Sequence, residues 1–151
     1  MANTSTIIAN CWLAAATAFE PELPPALLYA IAQTESAFDP RAIEYPRNGS
    51  RSIGVMQINS LWFNRLAAAG ISERDLYEPC INIHAGAWIL SQEVRRYGYS
   101  WEAIGAYNAG PYDAKSRPWK LKHYRVYAAK VLRAWRQLIH QSERASASVT
   151  R

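Results

Sequence analysis

The stretch ALLYAIAQTES, residues 26–36, is the most informative part of the chain. Three prolines shortly before it and the helical spacing of Leu27, Leu28 and Ile31 predict an amphipathic helix with one buried face. Glu35 follows Ile31 by four residues and therefore falls on that same apolar face. Burial and the negative end of the helix dipole both disfavour ionisation, so we expect this carboxyl to have a raised pKa.

A carboxyl that stays protonated near neutral pH can act as a general acid toward the leaving oxygen of a glycosidic bond. The helix alone does not establish that role for Glu35. A glutamate at the end of a helix can also turn to solvent, or pair with an arginine such as Arg41 or Arg51. Periodicity therefore gives a candidate catalytic acid and leaves two structural alternatives open.

Composition indicates one folded domain. Half of the 151 residues are hydrophobic and 19% are charged, which excludes a disordered chain. No apolar run approaches the roughly 20 residues that a membrane span needs, so we expect none. The net charge of +5 suits nucleic acid, anionic lipid or an acidic polymer, and equally an ordinary solvated surface. We expect no nucleic-acid partner, because the basic residues are scattered and no base-reading motif is present.

Cysteines and histidines show no metal-binding pattern. Cys11 and Cys80 belong to no C-x-x-C pair, and the histidines lack ligand spacing, so we expect no metal and no cofactor. The two cysteines can form a disulfide, which implies an oxidising compartment, or remain as two buried thiols. Residues 1–20 contain no Lys or Arg and so lack the charged start of a signal peptide. Export by another route and an earlier removal of the signal both stay open.

Helical periodicity covers most of the chain, so the expected fold class is mainly α. The polar segment 41–54, with its Asn48-Gly49 turn, predicts a loop or small β-hairpin. We expect a single helical domain over residues 1–141 and a disordered C-terminal tail over 142–151. Further helices are predicted over residues 5–19, 60–69, 81–97, 101–108 and 122–141.

Three short motifs occur in order around the candidate acid: IAQTESAFDP (31–40), GVMQIN (54–59) and AYNAGP (106–111). They resemble the three ordered motifs of the family 1 (SLT-type) lytic transglycosylases, usually an E-S pair closing a helix, G-L-M-Q-I and A-Y-N-A-G. The segment LYEPCINIHAGAWIL (76–90) is similar to the small VirB1/IagB-like members associated with secretion and conjugation. The resemblance covers residues 11–132, and Val55 in place of the usual Leu is a mild departure.

This resemblance implies a lysozyme-like α+β domain, with the loop or hairpin beside an active-site cleft, that cleaves peptidoglycan non-hydrolytically. Glu35 matches the family's single catalytic acid and base, which leaves 1,6-anhydro-muramic acid ends. Cys11 and Cys80 match cysteines that the secretion-associated members share, which favours the disulfide. The implied location is periplasmic or cell-wall associated. The implied partners are glycan strands and components of a type III, type IV or pilus machine.

The resemblance also assigns substrate-binding positions. Ser36 would hydrogen-bond the acid or the sugar, and Gln57, with backbone from Gly54 and Met56, would hold the sugar beside the acid. Tyr107 would bond the carboxyl or steady the developing positive charge. The full set is Ser36, Gly54, Met56, Gln57, Asn59, Tyr107, Asn108 and Tyr124.

Two rival interpretations remain at this point. A hydrolytic muramidase on the same fold would use a second carboxylate, and Asp39 and Glu44 lie close enough in sequence to supply it. A non-catalytic glycan-binding module could retain the cleft without the chemistry, although the intact Glu35 argues against it.

Overall fold

The computed structural model describes residues 4–150, with side chains from residue 9 onward, and confirms a mainly α fold. Three two-residue strands form a small antiparallel sheet in the order β1-β2-β3, where the polar segment predicted a hairpin. No helix among these residues is long and apolar enough to cross a membrane. The elements are α1 (Thr4–Thr17), α2 (Pro25–Ser36), β1 (Ile43–Glu44), β2 (Ser52–Ile53), β3 (Ile58–Asn59), α3 (Phe63–Ala68), α4 (Pro79–Tyr97), α5 (Trp101–Ala109) and α6 (Arg117–Val149).

The core lies where the helices pack on one another. Helix α6 contacts α5 and α2, while α4 contacts α1 and α5. Leu28 and Ile31 of α2 are fully buried there, as the helical spacing predicted. The buried face of α2 thus fixes the orientation of its last turn, which carries Glu35.

A disulfide joins Cys11 of α1 to Cys80 in the first turn of α4. Their Cα atoms are 5.4 Å apart, and 69 positions separate them in the chain. The bond fastens α1 to the helix against which it packs.

The last helix is longer than its periodicity predicted. It begins at Arg117, because Pro118 is tolerated in a first turn, and it continues to Val149. Residues 142–149, predicted as a disordered tail, are therefore helical in the structure. They contain Ala, Glu and Arg and no Gly or Pro, so nothing in their sequence ends the helix. Every residue from Ile139 to Thr150 is exposed, and the division into a domain and a tail stays a prediction.

Candidate active site

Glu35 is the next-to-last residue of α2. Directly after the helix, Ala37 and Phe38 adopt left-handed backbone conformations with φ of 50° and 64°. The Ala37 N–H bonds the Gln33 carbonyl at 3.1 Å and closes the helix. The helix therefore ends one residue after Glu35.

Opposing effects act on the pKa of the Glu35 carboxyl. Burial has the largest effect and raises the pKa of Glu35. Hydrogen bonding from Tyr127 and Asn108 lowers this pKa, and the charge of Glu44 raises it. The resulting pKa is about 7. The Tyr127 hydroxyl donates a 2.5 Å hydrogen bond to Glu35 Oε1. Arg51, a possible partner from the sequence, instead forms an ion pair with Glu73. Near neutral pH the carboxyl is therefore present in both protonated and ionised forms.

A tight turn over residues 54–57 faces this carboxyl and is fixed from behind by Asn82. Gly54 has φ of +81°, and a Cβ there would overlap the Asn82 amide and the Leu76 carbonyl. The fully buried Asn82 accepts from the Met56 N–H at 2.7 Å and donates to the Ile53 and Leu76 carbonyls at 2.9 and 2.8 Å. Sequence reasoning missed Asn82; its only signal is an amide among the mostly apolar buried residues of α4.

Ser36 and Tyr107 hold the same turn rather than the carboxyl. The Ser36 hydroxyl donates to the Val55 carbonyl at 2.7 Å, and the Tyr107 hydroxyl donates to the Met56 carbonyl at 2.7 Å. Tyr107 therefore does not bond the Glu35 carboxyl in this structure, where Tyr127 does so, and its other predicted role, to steady the developing positive charge, stays a prediction. Met56 is fully buried, so its contribution is to support the cleft.

Gln57 lines the cleft and contains a buried acceptor without a partner. Its Nε2 donates to the carbonyls of Ala42 and Gly54 at 3.1 and 3.0 Å, which fixes the orientation of the amide. Its Oε1 is buried and has no hydrogen-bond partner among the described residues. A buried acceptor without a partner costs free energy unless a ligand supplies a donor.

The cleft has two arms that share Glu35, Glu44 and Asn108. The volume is about 210 Å³ in the first arm and about 220 Å³ in the second. Beyond the shared residues, the first arm is lined by Pro46, Ser52, Gln57, Asn59, Trp62, Ile89 and Tyr107. The second arm is lined by Thr34, His123, Val126, Tyr127 and Lys130.

The structure brings half of the predicted substrate-binding residues to the lining of this cleft. Gln57, Asn59, Tyr107 and Asn108 line the first arm beside Glu35. Asn59 also accepts from the Leu61 N–H at 3.0 Å and so caps the turn that follows β3. Three further predicted residues, Ser36, Gly54 and Met56, lie behind the lining and shape it through the contacts described above.

Tyr124 is the exception, and its assignment to substrate binding is wrong in this structure. Its side chain is completely buried, its hydroxyl donates to the Gly110 carbonyl, and its ring packs so closely on Gly105 that a Cβ there would overlap it. Tyr127, one helical turn later, reaches the cleft instead. Sequence periodicity places both tyrosines on the inner face of α6 and cannot tell which one faces Glu35.

No cluster of three or more His, Cys, Asp or Glu side chains able to hold a metal occurs in the described part of the chain. The chemistry available to the cleft's own residues is proton transfer by a carboxyl, supported by phenol, amide and indole groups. A carboxyl with a pKa near neutrality in an open, polar cleft is the arrangement of an enzyme that cleaves glycosidic bonds.

Comparison with known proteins places the chain within this class. The transglycosylase SLT domain family matches residues 10–128. The chain is 47% identical over 135 residues to invasion protein IagB of Salmonella typhimurium, covering 89% of this chain and 80% of that protein. It is 38% identical over 136 residues to protein IpgF of Shigella flexneri, covering 89% and 85%. A match to the X polypeptide of Escherichia coli is 42% identical over 90 residues and covers 59% and 53%.

The chain belongs to the transglycosylase SLT family. It is a lytic transglycosylase with a lysozyme-like α+β fold, and its substrate is peptidoglycan.

Proposed function

We propose that Glu35 is the catalytic acid and base with which this chain cleaves the β-1,4 bond between N-acetylmuramic acid and N-acetylglucosamine. The observation that carries this proposal is the Glu35 carboxyl, whose pKa is raised to about 7 by burial. A group of this pKa can donate a proton in one step and accept one in the next. Its position where the two arms meet allows a glycan strand to continue on both sides of the broken bond.

The proposed reaction needs one carboxyl and no water. Protonated Glu35 gives its proton to the glycosidic oxygen, the bond from that oxygen to C1 of the muramic acid breaks, and positive charge develops on the sugar ring. The Glu35 carboxylate then accepts the proton of the 6-hydroxyl of the same sugar as that oxygen attacks C1. A 1,6-anhydro ring closes, and Glu35 is again protonated.

Tyr127 serves both steps in this scheme. Its hydrogen bond to Glu35 Oε1 stabilises the ionised form that follows the first proton transfer. The same bond holds the carboxyl in one orientation, and the Tyr127 hydroxyl is itself fixed because its ring is buried in α6.

The first arm supplies contacts that suit a neutral N-acetylated sugar. Gln57 Oε1 can accept a hydrogen bond from a substrate N–H or hydroxyl, which would satisfy its missing partner. Trp62 and Ile89 give an apolar surface for the face of a sugar ring, while Asn108 adds an amide next to the carboxyl.

A hydrolytic muramidase remains the second candidate because Glu44 lines both arms of the cleft. It could act as a base for a water molecule that attacks C1. Asp39, the other carboxylate suggested by sequence, is exposed and accepts a 2.9 Å bond from the Arg41 N–H, and it lines neither arm.

Mass analysis of the products released from purified peptidoglycan tests the proposal. We expect anhydro ends, which are lighter than reducing ends by one water, about 18 Da. The Glu35→Gln variant should release no product while still binding the insoluble glycan. Glu102→Gln, which removes an acid of α5 outside both arms, is the matched control and should cleave like the wild type.

Each rival has its own outcome in this experiment. Reducing ends from the wild type would identify a hydrolase. Wild-type cleavage by Glu35→Gln would remove Glu35 from the mechanism. Binding without cleavage by the wild type would support the non-catalytic glycan-binding module.

We further propose that the chain works in the periplasm or at the cell wall, where it opens peptidoglycan locally for a secretion, conjugation or pilus apparatus. The disulfide supports an oxidising compartment, and the substrate lies outside the cytoplasm. The name of the Salmonella relative, invasion protein, supports the association with such a machine. Cell fractionation combined with thiol labelling tests the location: cytoplasmic protein with both thiols free would contradict it.

A further inference from the structure

Charge is distributed very unevenly over this chain. Helix α6 contains eight of the seventeen Lys and Arg residues and one of the twelve Asp and Glu residues. The helix therefore carries a net charge of +7, whereas the rest of the chain, which has +5 overall, carries −2. Residues 117–142 contain no acidic residue at all. The basic character of the protein thus belongs to one helix.

Five of these eight cations lie along one line of α6, which we call the outer stripe. The members of the stripe follow one another at intervals of three or four residues, so they share one side of the helix, and all are exposed. They are Trp119, Lys122, Arg125, Ala129, Arg133, Arg136, His140 and Arg144. The part from Lys122 to Arg144 is about 33 Å long, at 1.5 Å per helical residue.

The cations of the outer stripe have little to neutralise them within the protein. None of them forms an ion pair in the part of the chain that the structure describes, and Arg125 lies over the ring of Trp101. The one acid of α6, Glu143, lies 3.4 Å from the His140 ring instead. Neighbouring like charges on a helix repel one another, so this stripe costs stability unless an external anion covers it.

The outer stripe is separate from the catalytic cleft. None of its residues lines either arm. Tyr127, the residue of α6 that reaches Glu35, lies on the buried side of the helix, whereas the stripe faces solvent. A ligand held by the stripe therefore does not need to enter the cleft.

The composition of the outer stripe favours a lipid surface over a protein partner. Protein interfaces depend on a centre that is rich in aromatic groups and depleted of charge, but between Lys122 and Arg136 the stripe offers only cations and Ala129. The anionic headgroups of a bilayer need no such centre and attract each Lys or Arg near them. Trp119, which is 60% exposed at the start of the stripe, is a residue type enriched where lipid meets water.

A nucleic acid would also suit the charge of the stripe. The proposed location beside peptidoglycan, however, borders a membrane and not the chromosome. We propose that the outer stripe docks this chain on the anionic surface of a phospholipid bilayer, with α6 lying along the headgroups. Docking of this kind keeps the enzyme on the membrane side of the wall, and it does not depend on the reaction proposed for Glu35.

Sedimentation with vesicles tests the inference. We expect the wild type to bind vesicles that contain phosphatidylglycerol and phosphatidylcholine in equal parts, and not to bind vesicles of phosphatidylcholine alone. Each cation near an anionic surface contributes about fivefold to binding, so Arg133→Gln combined with Arg136→Gln should weaken binding by about 25-fold. Salt at about 1 M should release the wild type, because it shortens the range of the attraction to about 3 Å.

Arg47→Gln combined with Arg74→Gln is the matched control. Both arginines are exposed, lie outside α6 and line neither arm, and their replacement changes the net charge by the same amount. This control should bind vesicles like the wild type. Both double variants should cleave soluble glycan strands at the wild-type rate, which shows that they are folded.

Several results would overturn the inference. Equal binding of the wild type to both kinds of vesicle would remove the role of lipid charge. Unchanged binding in the stripe variant, or an equal loss in the control, would remove the role of the stripe. A wild type that binds no vesicles, together with a stripe variant that loses binding to duplex DNA or to purified peptidoglycan, would assign the stripe to that polymer. A wild type that docks on vesicles but cleaves no glycan would instead refute only the proposed function.

Discussion

The Tyr127 hydroxyl donates a hydrogen bond of 2.5 Å to Glu35 Oε1 and so connects two helices across 92 positions of the chain. The bond favours the ionised carboxyl, whereas burial favours the protonated one, and burial is the larger effect. Glu35 is thus held in a fixed position with a pKa near neutrality. The predictions below depend on this balance, on the residues around it and on the disulfide that fastens the fold.

Tyr127→Phe should move the alkaline limb of the kcat/KM profile to higher pH. The lost hydrogen bond lowers the pKa of Glu35 in the wild type, so without it the acid stays protonated at higher pH. The maximal rate should fall by about 10- to 100-fold, because a catalytic group displaced by about 1 Å loses on that scale. Tyr124→Phe, whose hydroxyl bonds the Gly110 carbonyl, should keep the wild-type profile. A limb that stays in place or moves to lower pH would contradict the role given to Tyr127.

Glu35→Gln should be more stable than the wild type at alkaline pH. The folded protein raises the pKa of Glu35 from 4.5 to about 7, so between these values the folded state binds the proton more tightly than the unfolded state does. The stability due to protonated Glu35 is complete below pH 4.5 and is lost as pH rises through 7. Urea unfolding should show a gain for the variant of about 3 kcal/mol at pH 8 and little difference at pH 4. An equal difference at both pH values would count against the raised pKa.

Glu44→Gln should shift the alkaline limb to lower pH. The negative charge of Glu44 raises the pKa of Glu35, and it is the smallest of the contributing causes, so the shift should be smaller than that of Tyr127→Phe. Rates on the plateau and the anhydro product should be retained. Asp39→Asn removes the same charge outside both arms and serves as the control. Loss of all cleavage in Glu44→Gln would instead favour the hydrolytic mechanism with Glu44 as its base.

Replacement of Cys11 and Cys80 by serine should lower the free energy of unfolding by about 2–4 kcal/mol, as expected for a bond that closes a long loop. Urea unfolding with and without reductant measures the loss. Neither cysteine lines the cleft, so the folded variant should cleave with the wild-type product and pH profile. A changed pH profile would show that the bond acts on the site.

A chain ending at Gln141 should retain full activity. Residues 142–150 are all exposed, and a change at such positions usually alters stability by no more than about 0.5 kcal/mol. Cleavage rate and urea unfolding of the shortened chain check this division into a domain and a tail. A marked loss of either would make the end of α6 part of the domain.

Local sequence was enough to predict the position of Glu35 on the buried face of α2. The spacing of Leu28 and Ile31 fixes which face of the helix is inside, and a residue four positions after Ile31 must share it. The helix predicted over residues 101–108 is present as α5: Ser100 Oγ accepts from the Ala103 N–H at its start, and Gly110 follows its end with φ of 71°. The three motifs contain half of the residues that line the first arm.

The hydrogen-bond partners of the Glu35 carboxyl could not be predicted from local sequence. Tyr127 lies 92 positions from Glu35 in the chain. Whether Tyr127 or Tyr124 contacts the Glu35 carboxyl depends on how α6 is rotated against α2 and α5. The attachment of Tyr107 to Met56 and the support of the turn by Asn82 likewise join distant segments. Periodicity determines which side of each helix faces inward, because burial of the apolar side removes its groups from water. Only the packing of one helix on another decides which two polar atoms come within hydrogen-bonding distance.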